Sequence, residues 1–302
     1  MPEMPEVEGL RSFLAERLTG ATVVRAELAA FSALKTFATP LSALLGLEIA
    51  GVERRGKFVC LDVGGTWLAF HLARAGWLRW YDNPPSAPAK PGRGPLAFRL
   101  VAELAEQDAA GSGGAGIEGT VGFDLTEAGT QKHLALYVVD DLAQVNGIAR
   151  LGPDPLADEF SAEDFAAVLA AHARTQLKGL LKDQSVFAGI GNAYSDEILQ
   201  AARLSPFKLA GTLAEAEVAT LYAAIRSELA DAIARAAGLP PSELKDGKRA
   251  SLRVHGRKGE PCPTCGTPVA EVSFADSFLN YCPCCQTGGK LLADRRLSKL
   301  LK

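Results

Sequence analysis

Two Cys-x-x-Cys knuckles constrain this chain more than any other feature: Cys262-Pro263-Thr264-Cys265 and Cys282-Pro283-Cys284-Cys285, separated by sixteen residues. Two residues between cysteines let both thiolates turn toward one ion, and a second such pair completes a closed tetrahedral site of four sulfurs. A closed site leaves no position for substrate, so a zinc ion held by Cys262, Cys265, Cys282 and Cys285 is structural. The competing reading, a redox dithiol, leaves the second knuckle without a purpose. Cys284 is an extra thiol able to compete for a place in the coordination sphere, whereas Cys60, within Lys57-Phe58-Val59-Cys60-Leu61, has the setting of a core thiol. Five of the six cysteines cluster at the knuckles, which favours metal over disulfides and a cytoplasmic setting. Glu3, Glu6, Glu8 and Arg11 stand where a secretory leader needs an apolar stretch, and no run is long enough to cross a bilayer.

The 302 residues suffice for two domains and a small module. Val7, Leu10, Leu14 and Leu18 share one face of an opening helix, with Pro5 and Glu6 at its start and Thr19-Gly20 at its end. Short β-like runs follow at 22–28, 58–63, 67–72 and 134–139, and segments 83–95 and 107–119, rich in Pro, Gly, Ser and Ala, predict long or mobile loops. After Leu151-Gly152-Pro153-Asp154-Pro155 the texture turns helical. Ser161 caps one helix with Asp164 at its third position, helices are expected over 177–183 and 194–202, and Thr212-Leu213-Ala214-Glu215 suggests a capping box for a helix running to Gly238. The expected domains are 1–150, 151–255, a finger at 256–286 and a basic tail at 287–302. The net charge of −3 does not suggest nucleic acid, yet from Ser251 onward eight Lys or Arg face four acids, so this end is +4 and the remainder −7. A solvated tail is the plain reading; a phosphate contact is the other.

Met1-Pro2-Glu3-Met4-Pro5-Glu6 carries chemistry of its own. Initiator methionine is usually removed before a small residue, which leaves Pro2 with a free secondary amine. An α-amino group titrates near pH ~8 and is partly neutral at pH 7. A neutral secondary amine attacking a sugar carbon forms an iminium, and Glu3 beside it can move a proton. Glu6 can orient one of these groups. Taken alone, Pro and Glu also simply begin helices. Likewise Gly189-Ile190-Gly191-Asn192 makes a tight turn in which Asn192 can cap the next helix and expose amides to a phosphate, or it is an ordinary helix–loop–helix.

Together with Arg54-Arg55-Gly56-Lys57-Phe58, residues 151–156, residues 178–206 around Gly189-Ile190-Gly191-Asn192, and Gly256-Arg257-Lys258-Gly259-Glu260-Pro261-Cys262, these features resemble the formamidopyrimidine-DNA glycosylase/endonuclease VIII family along nearly the whole chain. The resemblance implies an α+β protein: an N-terminal two-sheet β-sandwich flanked by helices, then a helical helix–two-turn–helix domain with a four-cysteine zinc-ribbon hairpin. It implies that Pro2 attacks C1′ of a damaged nucleotide, that Glu3 is the acid/base, that Lys57 reaches a nearby phosphate and that Glu6 supports the site. Lys178 and Asn192 carry over as phosphate contacts. The expected partner is damaged or abasic DNA, bound by a cytoplasmic, nucleoid-associated monomer with one structural zinc and no organic cofactor.

The sequence departs from the family at several points. Ser277 occupies the position of the family's finger arginine, for which Lys290 or Arg257 can substitute. Arg74, in His71-Leu72-Ala73-Arg74-Ala75-Gly76, stands where methionine is usual, and the partner arginine and phenylalanine are expected to be replaced within Asp141-Leu142-Ala143-Gln144. Arg74 and Trp77 can wedge or stack in DNA; equally, Trp77 can be core and Arg74 surface. The loop that covers an everted oxidised guanine corresponds to 238–246 and does not match, and His255 replaces an aromatic. None of the four histidines has the setting of a metal ligand. The expectation is a bifunctional glycosylase and abasic-site lyase of altered lesion range. The alternatives are a DNA-binding protein that has lost turnover, a lyase restricted to abasic sites and, last, a generic zinc-ribbon binding protein.

Overall fold

The computed structural model describes residues 1–92, 94–105, 119–274 and 277–293. Most of the 107–119 loop and most of the 287–302 tail fall outside the described residues. The chain divides into two compact units, Met1–Arg150 with Ala236–Asp246, and Leu151–Arg235 with Gly247–Lys302. No helix among the described residues is long and apolar enough to cross a membrane.

The first unit opens with α1 (Met4–Leu18), whose expected apolar face is buried at Val7, Leu10, Leu14 and Leu18, joined by Met4 and Phe13. Among the described residues eight strands follow: β1 (Thr22–Leu28), β2 (Ile49–Arg55), β3 (Phe58–Val63), β4 (Thr66–His71), β5 (Gly76–Tyr81), β6 (Leu96–Glu103), β7 (Thr120–Glu127) and β8 (Ala135–Val139). They form two four-stranded sheets, ordered β1-β6-β7-β5 and β2-β3-β4-β8, and every pairing is antiparallel. Phe70 of β4 and Phe123 of β7 meet across the sandwich with ring centroids 5.9 Å apart, and α1 adds its apolar face to the same core.

Segment 83–95, expected to be mobile, is tied down at its centre. Arg25 donates to the carbonyls of Pro85, Ser86 and Ala87, Arg99 donates to Ala87, and Glu27 accepts the amide of Ala89. Beneath it Arg99 grips Asp124 with two hydrogen bonds of 2.7 and 2.8 Å, and the Tyr81 hydroxyl donates to the same carboxylate at 3.0 Å.

The short helix α2 (Asn146–Ala149) closes the strand-rich segment. After it come α3 (Ala162–Ala171), α4 (Leu177–Lys182), α5 (Asn192–Ala201), α6 (Glu215–Ala236) and α7 (Pro241–Ser251), the hairpin of β9 (Ala270–Ser273) and β10 (Phe278–Tyr281), and α8 (Pro283–Thr287). The Ser161 cap forms as expected, with Asp164 returning the bond at 3.0 Å. The cap of α6 differs from the expected Thr212–Glu215 box. Thr212 ends a 3₁₀ turn, and Glu217 instead accepts the Ala214 amide at 2.8 Å while Lys208 pairs with its carboxylate. Residues 241–246 are not a loop: they begin α7, and Leu244 enters the sandwich core.

Candidate active site

Pro2 is buried and precedes Glu3, the N-cap of α1. Glu3 and Glu6 are both buried at the positive end of that helix, which suits carboxylates. The Glu6 carboxylate accepts the Glu3 amide at 2.8 Å, which fixes the backbone on which Pro2 sits. Lys57, also buried, follows Gly56, whose φ of 57° gives the left-handed step of the β2–β3 turn. One ion pair joins these two pieces: Glu8 of α1 accepts Arg54 Nε at 2.8 Å, and Arg54 also donates to the Gly56 carbonyl. The start of α1 and the turn bearing Lys57 are thereby held to each other.

A fifth group lies here that the sequence did not single out. His71, opposite Phe58 in the β3–β4 ladder, lies with its ring 4.9 Å from that phenyl. Burial, and then the nearby positive charge of Lys57, push its pKa down to about 4, so it is neutral at pH 7. Its Nδ1 accepts the Ala73 amide at 3.2 Å. The signal was its place at the head of the His71–Gly76 motif.

Arg74 is exposed on the turn between β4 and β5. That turn is tightly built: Ala73 has φ 51°, and a Cβ on Gly76 would lie 2.2 Å from the Leu72 carbonyl. The segment beside it is not the expected Asp141–Gln144 stretch. In the β4–β8 ladder His71 pairs with Ala135 and Trp67 with Val139, so residues 141–144 follow the opposite end of the strands. Gly76 instead pairs with Glu127, whose buried carboxylate accepts the amides of His133 and Leu134 and anchors an exposed loop with Gln131, Lys132 and His133. Trp77 supports the 238–246 segment: its Nε1 donates to the Pro241 carbonyl at 2.9 Å, and the Lys245 ammonium lies 4.3 Å over its ring.

In the second unit Lys178 is buried, its Nζ bonded to Asn192 O (2.6 Å), Ser195 Oγ (2.8 Å) and Asp196 Oδ1 (2.7 Å). Asn192 is the first residue of α5 and not its cap; its side-chain amide donates to the Phe278 carbonyl at 2.8 Å, and its buried Oδ1 has no partner among the described residues. Arg257 donates to the carbonyls of Leu252 and Arg249 and pairs with Glu260. Ser277 accepts the Phe274 amide beside the hairpin tip, and Lys290 is exposed beyond α8.

The sulfurs of Cys262, Cys265, Cys282 and Cys285 lie within 4.8 Å of one another, with Cys265–Cys282 at 3.4 Å and Cys262–Cys285 at 4.0 Å. Zn–S bonds of ~2.3 Å in a tetrahedron place sulfurs ~3.8 Å apart, so the set fits one zinc ion. Hydrogen bonds from Thr267 hold the Cys265 thiol down at about 6, whereas burial pushes the Cys282 and Cys285 thiols up. Cys284 is exposed and outside the cluster.

A two-sheet sandwich beginning at a buried Pro-Glu pair, a helical unit and a four-sulfur finger define a class: DNA-repair glycosylases that carry a zinc finger. Residues 1–113 match the formamidopyrimidine-DNA glycosylase N-terminal domain, residues 151–240 its H2TH domain, and residues 259–288 the zinc finger found in FPG and IleRS. The formamidopyrimidine-DNA glycosylase of Symbiobacterium thermophilum is 35% identical over 98% of this chain and 93% of its own length. The crystal structure of the MutM (Fpg) protein from Thermus thermophilus superimposes with a TM-score of 0.74, 32% identity and coverage of 96% of this chain and 100% of that one. An uncharacterized formamidopyrimidine-DNA glycosylase-like protein of Mycobacterium tuberculosis is 54% identical over 50% of this chain and 94% of its own. The chain belongs to the formamidopyrimidine-DNA glycosylase/endonuclease VIII family.

Proposed function

We propose that the chain is a bifunctional DNA glycosylase and abasic-site lyase whose nucleophile is the nitrogen of Pro2 after loss of Met1. The nitrogen bonds to C1′ of a damaged nucleotide, the glycosidic bond breaks, and the base leaves with a proton. Glu3 opens the sugar by protonating its ring oxygen, Glu6 holds the Glu3 backbone, and Lys57 meets the adjacent phosphate. The resulting iminium acidifies C2′; loss of that proton expels the 3′ phosphate, a second elimination expels the 5′ phosphate, and water releases the enzyme. The observation that carries this reading is the Glu8–Arg54 pair, which ties the helix start behind Pro2 to the turn that bears Lys57.

The substrate is damaged or abasic DNA, met by a monomer at the nucleoid. Arg74, Lys178, Asn192 and Arg257 belong to its DNA-binding side. The lesion range departs from that of a guanine-capping relative, because residues 241–246 form the start of a docked helix in place of a free loop. Binding without turnover is the second reading, supported by the absence of an arginine at Ser277. One experiment separates them. Abasic DNA treated with the enzyme and borohydride yields a covalent adduct that Pro2→Gly abolishes; tight binding with no adduct from any abasic or oxidised substrate overturns the enzyme reading.

A further inference from the structure

We infer that Asp196 and His255 form a carboxylate–imidazole pair through which the second unit grips a DNA phosphate with uptake of a proton, an assignment that rests on the proposed DNA substrate. An ammonium has three N–H donors. Those of Lys178 already have three acceptors inside the protein, Asn192 O, Ser195 Oγ and Asp196 Oδ1. Lys178 is thus a positioning residue: it neutralises Asp196 and holds it in place, and an incoming phosphate needs a different donor.

His255 is placed to supply it. Its Nδ1 lies 2.6 Å from the other oxygen of Asp196, which also accepts the Asn280 amide at 3.1 Å. Its amide donates to Glu197 at 2.9 Å. One ring face stacks on Phe278 at 5.1 Å and 15°, and the carbonyl of Phe278 is itself fixed by Asn192. The imidazole is therefore held at Nδ1, at its backbone and on one face. The side chain is 16% exposed, and among the described residues Nε2 has no protein partner and is not a buried orphan. Nε2 is the edge left to solvent.

Chemistry then sets the consequence. With Nδ1–H donating to Asp196, a neutral ring offers only a lone pair at Nε2, and a lone pair cannot bond a phosphate oxygen. Engagement requires Nε2 to take a proton from solvent, after which a charge-assisted N–H···O bond forms. The charged groups around the ring are Asp196 and Glu197 of α5, Lys178 of α4 through Asp196, Arg253 on its own segment with Glu228 of α6, and Glu271 of β9 through Asn280. Lys178 pairs with Asp196, and Arg253 with Glu197 and Glu228; the imidazolium pairs with Asp196 through Nδ1 and keeps Nε2–H for the phosphate.

The test is calorimetric titration of the full zinc-loaded protein with a duplex bearing a tetrahydrofuran abasic analogue, in buffers of different ionisation enthalpy, between about pH 6 and 8. Wild type is expected to show a buffer-dependent enthalpy from proton uptake. His255→Phe keeps the stack, and should lose that dependence, bind about tenfold or more weakly at the acid end, and show a salt slope smaller by about one. Asp196→Asn should lose the linkage too; should it fail to fold in a thermal melt, His255→Phe carries the result. Equal enthalpies in all buffers, or wild-type behaviour of His255→Phe, overturn this assignment while leaving the DNA substrate intact. No binding of the duplex by wild type removes both.

Discussion

Where the sandwich buries one apolar core running from α1 through both sheets, the second unit buries a chain of polar groups: Lys178, Asp196, Glu197 and Asn280 are each at most 5% exposed. Apolar burial is non-directional and tolerant. A buried network of charges needs every partner in place, and removal of one leaves another uncompensated. The unit that positions the proposed nucleophile is thus held mainly by bulk hydrophobic packing, to which the buried Arg99–Asp124 pair and the hydrogen-bonded carboxylates of Glu6 and Glu127 are added. The unit proposed to meet the backbone of the nucleic acid adds to its own apolar core, with Phe165, Leu181, Phe187 and Leu199 buried, a network of directional bonds and a four-sulfur metal site. The difference teaches that the chemistry and the grip should fail separately, each under its own insult.

Zinc removal is the largest predicted break. A structural four-sulfur site contributes on the order of ten kcal/mol to its module, so chelation should unfold the finger and abolish DNA binding, while the near-ultraviolet melt of the sandwich stays where it was. A joint loss of both would erase the contrast. Asp124→Ala comes next: it strands the Arg99 guanidinium in a buried setting and should cost about 3–5 kcal/mol in urea unfolding, with the zinc content unchanged. Below that lies pH. His71 has a folded pKa of about 4, under its ordinary 6.5, so the native state favours the neutral ring. Its contribution is complete above pH 6.5 and is lost as pH falls toward 4, by about 3 kcal/mol; His71→Gln should flatten that part of the stability profile. The smallest effect is Gly9→Ala. The added methyl would lie 3.0 Å from Leu244 Cδ2 and 3.2 Å from the Ala236 carbonyl, and should cost about 1–2 kcal/mol and raise hydrogen exchange in 236–246.

Legibility followed the same divide. The α1 face, strand β3 and the Ser161 cap could be read directly, since each is a local pattern of spacing. The knuckles were equally plain, because ligand geometry dictates their interval. Strands β6 and β7 were not legible: the loop laid over them buries both faces, so their alternation vanishes, and Arg99 and Asp124 have the look of surface residues. The start of α7 was hidden because Pro240-Pro241 resembles a loop, although Trp77 and Leu244 anchor it. The neighbour of Arg74 was misplaced onto 141–144 because only the strand register reveals which loop shares its end of the sheet. Of the candidate site, Pro2, Glu3, Glu6 and Lys57 were visible as motifs. The link that joins them, Glu8 to Arg54, spans forty-six positions and leaves no periodic trace. Asp196 and His255, fifty-nine apart, were invisible for the same reason.

The central claim is that the chain's own second residue bonds to the sugar. Peptide mass analysis of a borohydride-trapped complex with abasic DNA addresses it most directly. The account predicts that the deoxyribose remnant sits on an N-terminal peptide beginning at Pro2, with Met1 absent. A remnant on a lysine peptide, or a trapped complex whose N-terminal peptide still begins with Met1, would contradict it.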